Sequence, residues 1–198
     1  MQYKQGSYGR VFMLKFEDRD DLLEEIKKVA LKEKIKVGTI MLLGGMRSAG
    51  VVSGPKEAVI PPDPMWADFS DAREVVGIGT LFWKGSQPVI HLHGAIGRGK
   101  ETLIGCIRKD SSVYLVVEAV IAEILGIDAH KTLNEKTGVA MLEFGTRHRL
   151  NRIPECGCDS PVLLLSSSGR PTLWHATLTI KQGGRNVEMK RSRLAEGR

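Results

Sequence analysis

The sequence has few cysteines and no long apolar run. Three cysteines in 198 residues are too few for the disulfide framework of a small secreted domain. The longest apolar stretch, residues 113–127, is interrupted by Glu118 and Glu123, so we do not expect it to span a membrane. The N-terminus lacks the basic start and apolar run of a secretory signal. We therefore expect a cytoplasmic protein with no membrane partner.

Excess charge is also missing from most of the chain. In residues 1–146, 19 basic groups balance 19 acidic ones, whereas residues 147–198 hold ten Lys and Arg against four Asp and Glu. The whole formal charge of +6 therefore lies in the C-terminal quarter. Such an asymmetry favours an anionic partner, unless the segment only keeps the protein soluble. The candidate anion or DNA contacts are Arg147, Arg149, Arg152, Arg170, Lys190, Arg191 and Arg193.

Hydrophobic periodicity predicts one helix and many strands. The helix is expected over residues 20–34, where apolar residues form a single stripe. Strands are expected at residues 10–17, 37–43, 50–53, 74–83, 89–96, 101–107, 113–124 and 139–145. This order predicts an α+β domain over residues 1–146, with one main helix packed on an antiparallel or mixed β-sheet. Residues 147–198 are expected to form an extension with a small β-hairpin-like unit and a partly disordered basic end.

Two connections in this pattern are predicted to be irregular. Residues 55–71 contain four prolines, which predicts a loop held down by Trp66 and Phe69. The pair Gly44-Gly45 predicts a turn between the strands at residues 37–43 and 50–53.

The most distinctive pattern is a pair of histidines. Residues two apart in a strand project from the same face, so His91 and His93 point together while Leu92 faces the other way. Their Cα atoms are expected to lie roughly 6.5–7 Å apart. At this separation both imidazoles can reach one metal ion, which each binds at about 2 Å.

A cysteine follows on the next predicted strand. Residues 97–100, Gly-Arg-Gly-Lys, are typical of a tight turn between antiparallel strands. If Arg98 and Gly99 form the two-residue loop, Cys106 lies directly opposite His91. A register shift of two keeps Cys106 on the histidine face, and a shift of one turns it away.

Two interpretations of these three side chains stay open. Two imidazoles and one thiolate leave a fourth position for water or another ligand, as in catalytic zinc sites, and favour zinc over magnesium or calcium. Alternatively, the histidines are hydrogen-bonded in a cleft or interface and the buried cysteine is a small hydrophobic residue.

Roughly residues 8–145 resemble the plant-and-prokaryote-conserved (PPC) domain. The resemblance rests on the opening strand and helix, on Glu74-Val-Val-Gly-Ile-Gly-Thr80, and on Pro88-Val-Ile-His-Leu-His93. In the family, a His-x-His strand, a short glycine-containing turn and a Gly-Gly-His-Leu strand follow one another. Here the last element reads Ile104-Gly-Cys-Ile107, so Cys106 stands where the family has histidine. Cysteine is a conservative replacement for a zinc ligand.

The resemblance implies several properties. It implies an α+β fold, related to that of the zinc enzyme acetolactate decarboxylase, and association as a homotrimer. In prokaryotic members the three imidazoles can hold a metal near a subunit boundary, which makes His91, His93 and Cys106 the expected ligands. The cysteine also leaves open that the site has lost its metal.

The family is commonly described as DNA-binding because plant members join this domain to AT-hook segments. An AT-hook centres on Arg-Gly-Arg-Pro, whereas this chain has Ser168-Gly-Arg-Pro171. The first arginine is missing, so the match is incomplete. The basic extension can still contact phosphates without reading sequence.

The extension also contains a candidate for a second metal site, formed by Cys156, Cys158 and His175. A Cys-x-Cys pair is less specific than paired Cys-x-x-Cys knuckles. Reduced structural thiols and a strand histidine are the alternative.

Two functions are therefore predicted. The first is a PPC-domain protein that binds a divalent metal, expected to be zinc, and has a regulatory role on DNA. The alternative is a metal-dependent enzyme, similar to a lyase, decarboxylase or hydrolase, acting on a small oxygenated substrate. Glu101, Glu118 and Arg98 are its candidate acid–base or anion-orienting groups.

Overall fold

The computed structural model describes residues 1–145, 162–165, 171–176 and 189–190. The chain divides into two compact units, Met1–Asn151 and Arg152–Arg198. The first unit contains β1 (Ser7–Glu17), α1 (Leu22–Glu33), β2 (Gly38–Pro55), β3 (Pro64–Phe69), β4 (Arg73–Lys84), β5 (Gln87–Arg98), β6 (Glu101–Leu125), β7 (Ala129–Asn134) and β8 (Val139–Phe144). The second contains β9 (Val162–Leu165), β10 (Pro171–Ala176) and β11 (Met189–Lys190).

The first unit is built on a six-stranded antiparallel sheet with the order β1-β6-β5-β4-β2-β3. An additional antiparallel pairing joins β6 to β2. Because β2, β4, β5 and β6 are thus each paired with two of the others, these four strands form a closed ring. Such closure leaves none of the four as a free edge over its paired length. A separate two-stranded sheet pairs β7 with β8.

The helix α1 packs on the buried face of this sheet. Asp21 is the N-cap, and its carboxylate accepts hydrogen bonds from the backbone N–H groups of Leu23 and Glu24, which satisfies two donors that the first turn leaves free. The hydroxyl of Ser111 on β6 donates to the same carboxylate at 2.7 Å. This buried serine therefore ties the start of α1 to the sheet.

The core lies between the helix and the ring of strands. Its largest fully buried side chains include Leu22 and Ile26 of α1, Ile40 of β2, Leu92 of β5 and Ile107 of β6. At the far end of α1, Arg10 of β1 donates two hydrogen bonds to the Glu123 carboxylate and one to a backbone oxygen near the helix C-terminus. The α+β class predicted from the sequence fits this arrangement of one helix on a mainly antiparallel sheet.

The turn predicted at Gly44-Gly45 is wrong, because β2 runs without a break from Gly38 to Pro55. The strand instead changes its register against β6 at several points, one of them between Gly44 and Gly45. Gly44 has a φ of 140°, a conformation that favours glycine. The glycines therefore bend a continuous strand rather than ending it.

Two other boundaries also differ from prediction. Residues 101–107 and 113–124 belong to one strand, β6, in which Asp110 has a φ of 51°. The predicted loop at residues 55–71 contains β3, an edge strand paired with β2. Its proline stands at the first position of this edge strand, where the missing N–H is tolerated.

The described parts of the second unit form a three-stranded sheet with the order β11-β10-β9. Both pairings are antiparallel, with Trp174 opposite Val162 and His175 opposite Lys190. In the part of the chain that the structure describes, no helix combines the length and the apolar character needed to cross a membrane.

Candidate metal centre

The two histidines lie on β5, on the face of the sheet opposite the helix. His91 and His93 are exposed, while Leu92 between them is fully buried in the core. On β4 they face Thr80 and Ile78, respectively. The alternation expected from the sequence therefore holds, because one face of β5 packs against the core and the other is open.

Cys106 lies opposite His93, and not opposite His91 as the sequence predicted. The two-residue loop of the β5–β6 hairpin is Gly99-Lys100 rather than Arg98-Gly99, since Arg98 pairs with Glu101. Gly99 has a φ of 60°, and glycine adopts positive φ at little cost at the first loop position of a tight hairpin. The register moves by two, which keeps Cys106 on the histidine face.

The potential ligand atoms of His91, His93 and Cys106 all lie within 4.8 Å of one another. The two imidazole Nε2 atoms are 3.1 Å apart, and the rings meet edge to face with their centroids 4.9 Å apart. The strands alone produce this cluster, because the histidines share a face of β5 and Cys106 is the neighbour of His93 across the hairpin.

The environment disfavours positive charge on His91. Desolvation by burial lowers its pKa, and the nearby cationic side chains of Lys131 and Arg108, together with His93, act in the same direction. A lowered pKa keeps the imidazole neutral near pH 7, with a lone pair available. Burial raises the pKa of the Cys106 thiol, an effect that Arg108 partly opposes.

The donor types of these three side chains, and the spacing of the two imidazoles, suit a zinc ion. Zinc–nitrogen bonds of about 2.0–2.1 Å in a tetrahedron place two nitrogen ligands roughly 3.3 Å apart. The Nε2 atoms of His91 and His93, at 3.1 Å, are already near that spacing. Two nitrogens and one sulfur are a donor set that zinc accepts, with a fourth position open.

Two cations near the cluster were missed by the sequence analysis. Arg108 follows Cys106 by two residues on β6, so the period of a strand already puts it on the same face. The strand predicted there ended at residue 107, which hid this signal. Lys131 lies on β7, a strand that the sequence pattern did not predict, and no local signal connects it with His91.

His93 borders two clefts in the described residues. One, of about 520 Å³, also contains Cys106 and Arg108 and is walled by Trp66 of β3. The other, of about 610 Å³, lies over the exposed face of the sheet. Its apolar lining includes Met13, Met41, Leu43, Val76, Ile78 and Ile104.

The predicted acid–base candidates do not all reach the cluster. Arg98 and Glu101 lie at the hairpin turn, five residues from His93 and Cys106 respectively, which is roughly 16 Å along a strand. Arg98 pairs with Asp71, and Glu101 with Arg73. These two residues are therefore structural here. Glu118 lines the larger cleft together with His93.

Most residues proposed for the extension lie outside the described residues. These are Cys156 and Cys158 of the predicted second metal site, and Arg147, Arg149, Arg152, Arg170, Arg191 and Arg193 of the predicted DNA contacts. Only His175, on β10, and Lys190, on β11, fall within described strands, where their Cα positions pair.

Comparison with solved structures finds the same fold in several proteins. A metal-containing protein from Archaeoglobus fulgidus matches with a TM-score of 0.64 and 21% identity, over 72% of this chain and 99% of that one. A plant- and prokaryote-conserved protein from Pyrococcus horikoshii matches with a TM-score of 0.61 and 20% identity, over 74% and 100% of the two chains. A candidate DNA-binding protein from Ralstonia eutropha JMP134 matches with a TM-score of 0.58 and 16% identity, over 67% and 90%.

No curated protein matches the sequence. The sequence pattern of the Plants and Prokaryotes Conserved (PCC) domain, the family also abbreviated PPC, matches residues 3–125. This span runs from the start of the chain to the end of β6 and includes both histidines and Cys106. The chain therefore belongs to the Plants and Prokaryotes Conserved domain family.

Proposed function

We propose that this protein binds one divalent metal ion, zinc, through His91, His93 and Cys106. The observation that carries the proposal is the convergence of two imidazoles and a thiol within 4.8 Å on adjacent strands. The metal-containing protein from A. fulgidus, which has the same fold, supports a metal in this family. When bound, zinc would supply a Lewis acid with one open position to this face of the sheet.

The test is elemental analysis of protein purified without added metal. We expect close to one zinc per chain in the wild type and a large loss in the double variant His91→Ala/His93→Ala. His130→Ala is the matched control, since His130 is an exposed β7 histidine facing Glu143 and should keep the zinc. Wild-type protein that binds no zinc even after incubation with zinc salt, or a double variant that keeps it fully, would refute the ligand assignment.

We also propose that the protein is a homotrimer. The sheet face that carries the histidines exposes several large apolar side chains, among them Met13, Met41, Leu43, Val76, Ile78 and Ile104. Contiguous apolar surface of this kind is typical of an interface between subunits. The metal cluster, on the same face, would then lie near a subunit boundary.

A regulatory role on DNA is the second part of the proposal. It is supported by the like fold of the R. eutropha candidate DNA-binding protein and by the confinement of the +6 charge to residues 147–198. Contacts between this segment and phosphates would release counterions, so affinity should fall steeply with salt.

Electrophoretic mobility shift at low salt tests this role. In the full chain, replacing all seven of the proposed contacts with glutamine should abolish binding to duplex DNA. Replacing Lys27, Lys28, Lys32 and Lys34 of the helix region instead should leave it intact. Absence of binding by the wild type at low salt would exclude the DNA role, and unchanged binding after the sevenfold replacement would exclude the extension as its site.

The enzymatic alternative, a zinc-dependent lyase, decarboxylase or hydrolase, draws on the relation to acetolactate decarboxylase that the family resemblance implies. One observation favours it: Glu118 lines a cleft together with His93, as an acid–base group near a metal would. The test is an assay for hydrolysis or decarboxylation of a small oxygenated substrate. Activity in the wild type that is lost in Glu118→Gln, with zinc content unchanged, would support the enzymatic function.

A further inference from the structure

The smaller of the two clefts has a polar end and an apolar body. Its polar end is formed by His93, Cys106 and Arg108. Its walls are largely Trp66, Pro64 and Ile104. At about 520 Å³, it is in the size range of sites that enclose a small organic molecule.

The charge at the polar end is positive and not compensated within the described residues. Arg108 lines the cleft and takes part in no ion pair and no side-chain hydrogen bond in this part of the chain. Lys131 does not line the cleft, and its Nζ lies 5.6 Å from the centroid of the Phe82 ring. An anion that enters the cleft would therefore be stabilised by the Arg108 guanidinium.

The shape of the cleft distinguishes between kinds of anion. The Arg108 guanidinium is a planar fork that matches a carboxylate with two parallel hydrogen bonds. The indole of Trp66 is half exposed at 48%. Lys109 Nζ lies over this ring, 5.1 Å from its centroid, and the remaining apolar surface of the indole is available to the rest of the ligand. A small inorganic anion would pair with the arginine but leave this wall in contact with water, so it would gain no stabilisation from burial of apolar surface.

We propose that this cleft binds a small organic carboxylate with an apolar or aromatic body, its carboxylate held by Arg108 beside the metal cluster and its body against Trp66. The inference rests on the proposed metal site, because the carboxylate would complete the coordination of an ion held by His91, His93 and Cys106. It names the class of ligand for that site and replaces Arg98, the residue predicted from the sequence, with Arg108 as its anion-orienting group.

The probe is phenylacetate, with the neutral phenylacetamide as its isosteric control and inorganic phosphate as the anion without an apolar body. Binding of each is measured by isothermal titration calorimetry on the full chain, both zinc-loaded and metal-free, and zinc content is measured on the same samples. We expect phenylacetate to bind the zinc-loaded protein at least about tenfold more tightly than phenylacetamide or phosphate, the range expected for charged hydrogen bonds.

Arg108→Met should weaken phenylacetate binding by about tenfold or more with zinc content unchanged. Arg98→Met is the matched control, because it removes an arginine from the same hairpin outside the cleft and should change nothing. Trp66→Ala should weaken phenylacetate but not phosphate.

The outcomes separate this inference from the proposed metal site. Zinc bound with no Arg108-dependent preference for phenylacetate overturns the inference and leaves the metal site standing. Phenylacetate bound through Arg108 by a protein that takes up no zinc supports the carboxylate cleft and refutes the proposed metal site. A protein that binds neither refutes both. Phosphate binding as tightly as phenylacetate would show an anion site without the proposed selectivity, and would overturn the inference.

Discussion

His93 and Cys106 are directly paired residues on the neighbouring strands β5 and β6. Paired residues on one face of an antiparallel sheet have Cβ atoms about 5 Å apart. Their separation is therefore fixed by the backbone hydrogen bonds of the sheet and not by a loop. A ligand pair held in this way is preorganised, so little conformational entropy should be lost when an ion binds.

Removal of the thiol should separate the contribution of Cys106 from those of the histidines. Cys106→Ser should weaken zinc binding by more than about 100-fold, because loss of a residue that only hydrogen-bonds to a metal ligand already lowers metal affinity by about 10–100-fold. With cobalt in place of zinc, the thiolate-to-metal charge-transfer absorption of the wild type should vanish. Cys106→His, which restores the residue expected from the family, should keep zinc while lacking that absorption. Wild-type charge-transfer absorption that persists in Cys106→Ser would show that another thiolate is the ligand.

Zinc binding should release about one proton per ion near pH 7. The pKa of the buried Cys106 thiol is raised, so it is protonated at this pH and must ionise to bind. The pKa of His91 is lowered from 6.5, so its imidazole is already neutral and releases none. Calorimetry in two buffers of different ionisation enthalpy measures the proton count. Cys106→Ser should lower it by about one, and an equal count in both proteins would argue against thiolate ligation.

The Arg10–Glu123 pair should make stability depend on pH. Arg10 hydrogen bonds lower the pKa of Glu123 from its ordinary 4.5, so the folded state favours the ionised carboxylate. The stabilisation is therefore present above that ordinary value and is lost as the pH falls through the lower folded value. Glu123→Gln should reduce the free energy of unfolding by about 1 kcal/mol at pH 7. The difference should shrink in acid, as measured by urea denaturation.

Glu17→Gln is the control for that series. Glu17 pairs with Lys15 at 3.3 Å, but both side chains are largely exposed, so its replacement should have little effect at any pH. If the difference in unfolding free energy between the wild type and Glu123→Gln grew as the pH fell, the assigned direction of the Glu123 pKa shift would be wrong.

A charge on the exposed sheet face should dissociate the proposed trimer. Val76 is 66% exposed on β4, and Val76→Asp would bury an unpaired carboxylate if the face is covered. Such burial costs on the order of 3 kcal/mol per site. Light scattering coupled to size exclusion should give three times the monomer mass for the wild type and a lower mass for the variant.

Val59→Asp makes the same chemical change at a residue that is 51% exposed outside the sheet, and it should leave the mass unchanged. A monomeric wild type would refute the trimer. Trimers that tolerate Val76→Asp would place the interface elsewhere.

The sequence was sufficient to predict which side chains share a face. Strand periodicity put His91 and His93 together, and a register that moved by two left Cys106 beside them because faces alternate with a period of two. The pairing of individual residues between β5 and β6 was not predictable. Both Arg98-Gly99 and Gly99-Lys100 are acceptable two-residue loops within residues 97–100, and only the folded hairpin selects Gly99-Lys100.

Features that depend on distant parts of the chain were not predictable. Lys131 reaches the neighbourhood of His91 through β7, and the sequence separation of forty residues contains no local sign of this. The prolines of residues 55–71 were a true local signal for irregular structure, yet pairing with β2 overrode it and formed β3. Tertiary pairing decides such strands more than their own propensity does.

The position of His93 between the two clefts has a thermodynamic consequence. A subunit covering the larger cleft and a ligand entering the smaller one would both contact the same imidazole. If either shifts that ring, linkage requires that assembly change ligand affinity by the same factor by which the ligand changes assembly. Through this one histidine, occupancy of the site would change the strength of subunit association, and association would change the occupancy.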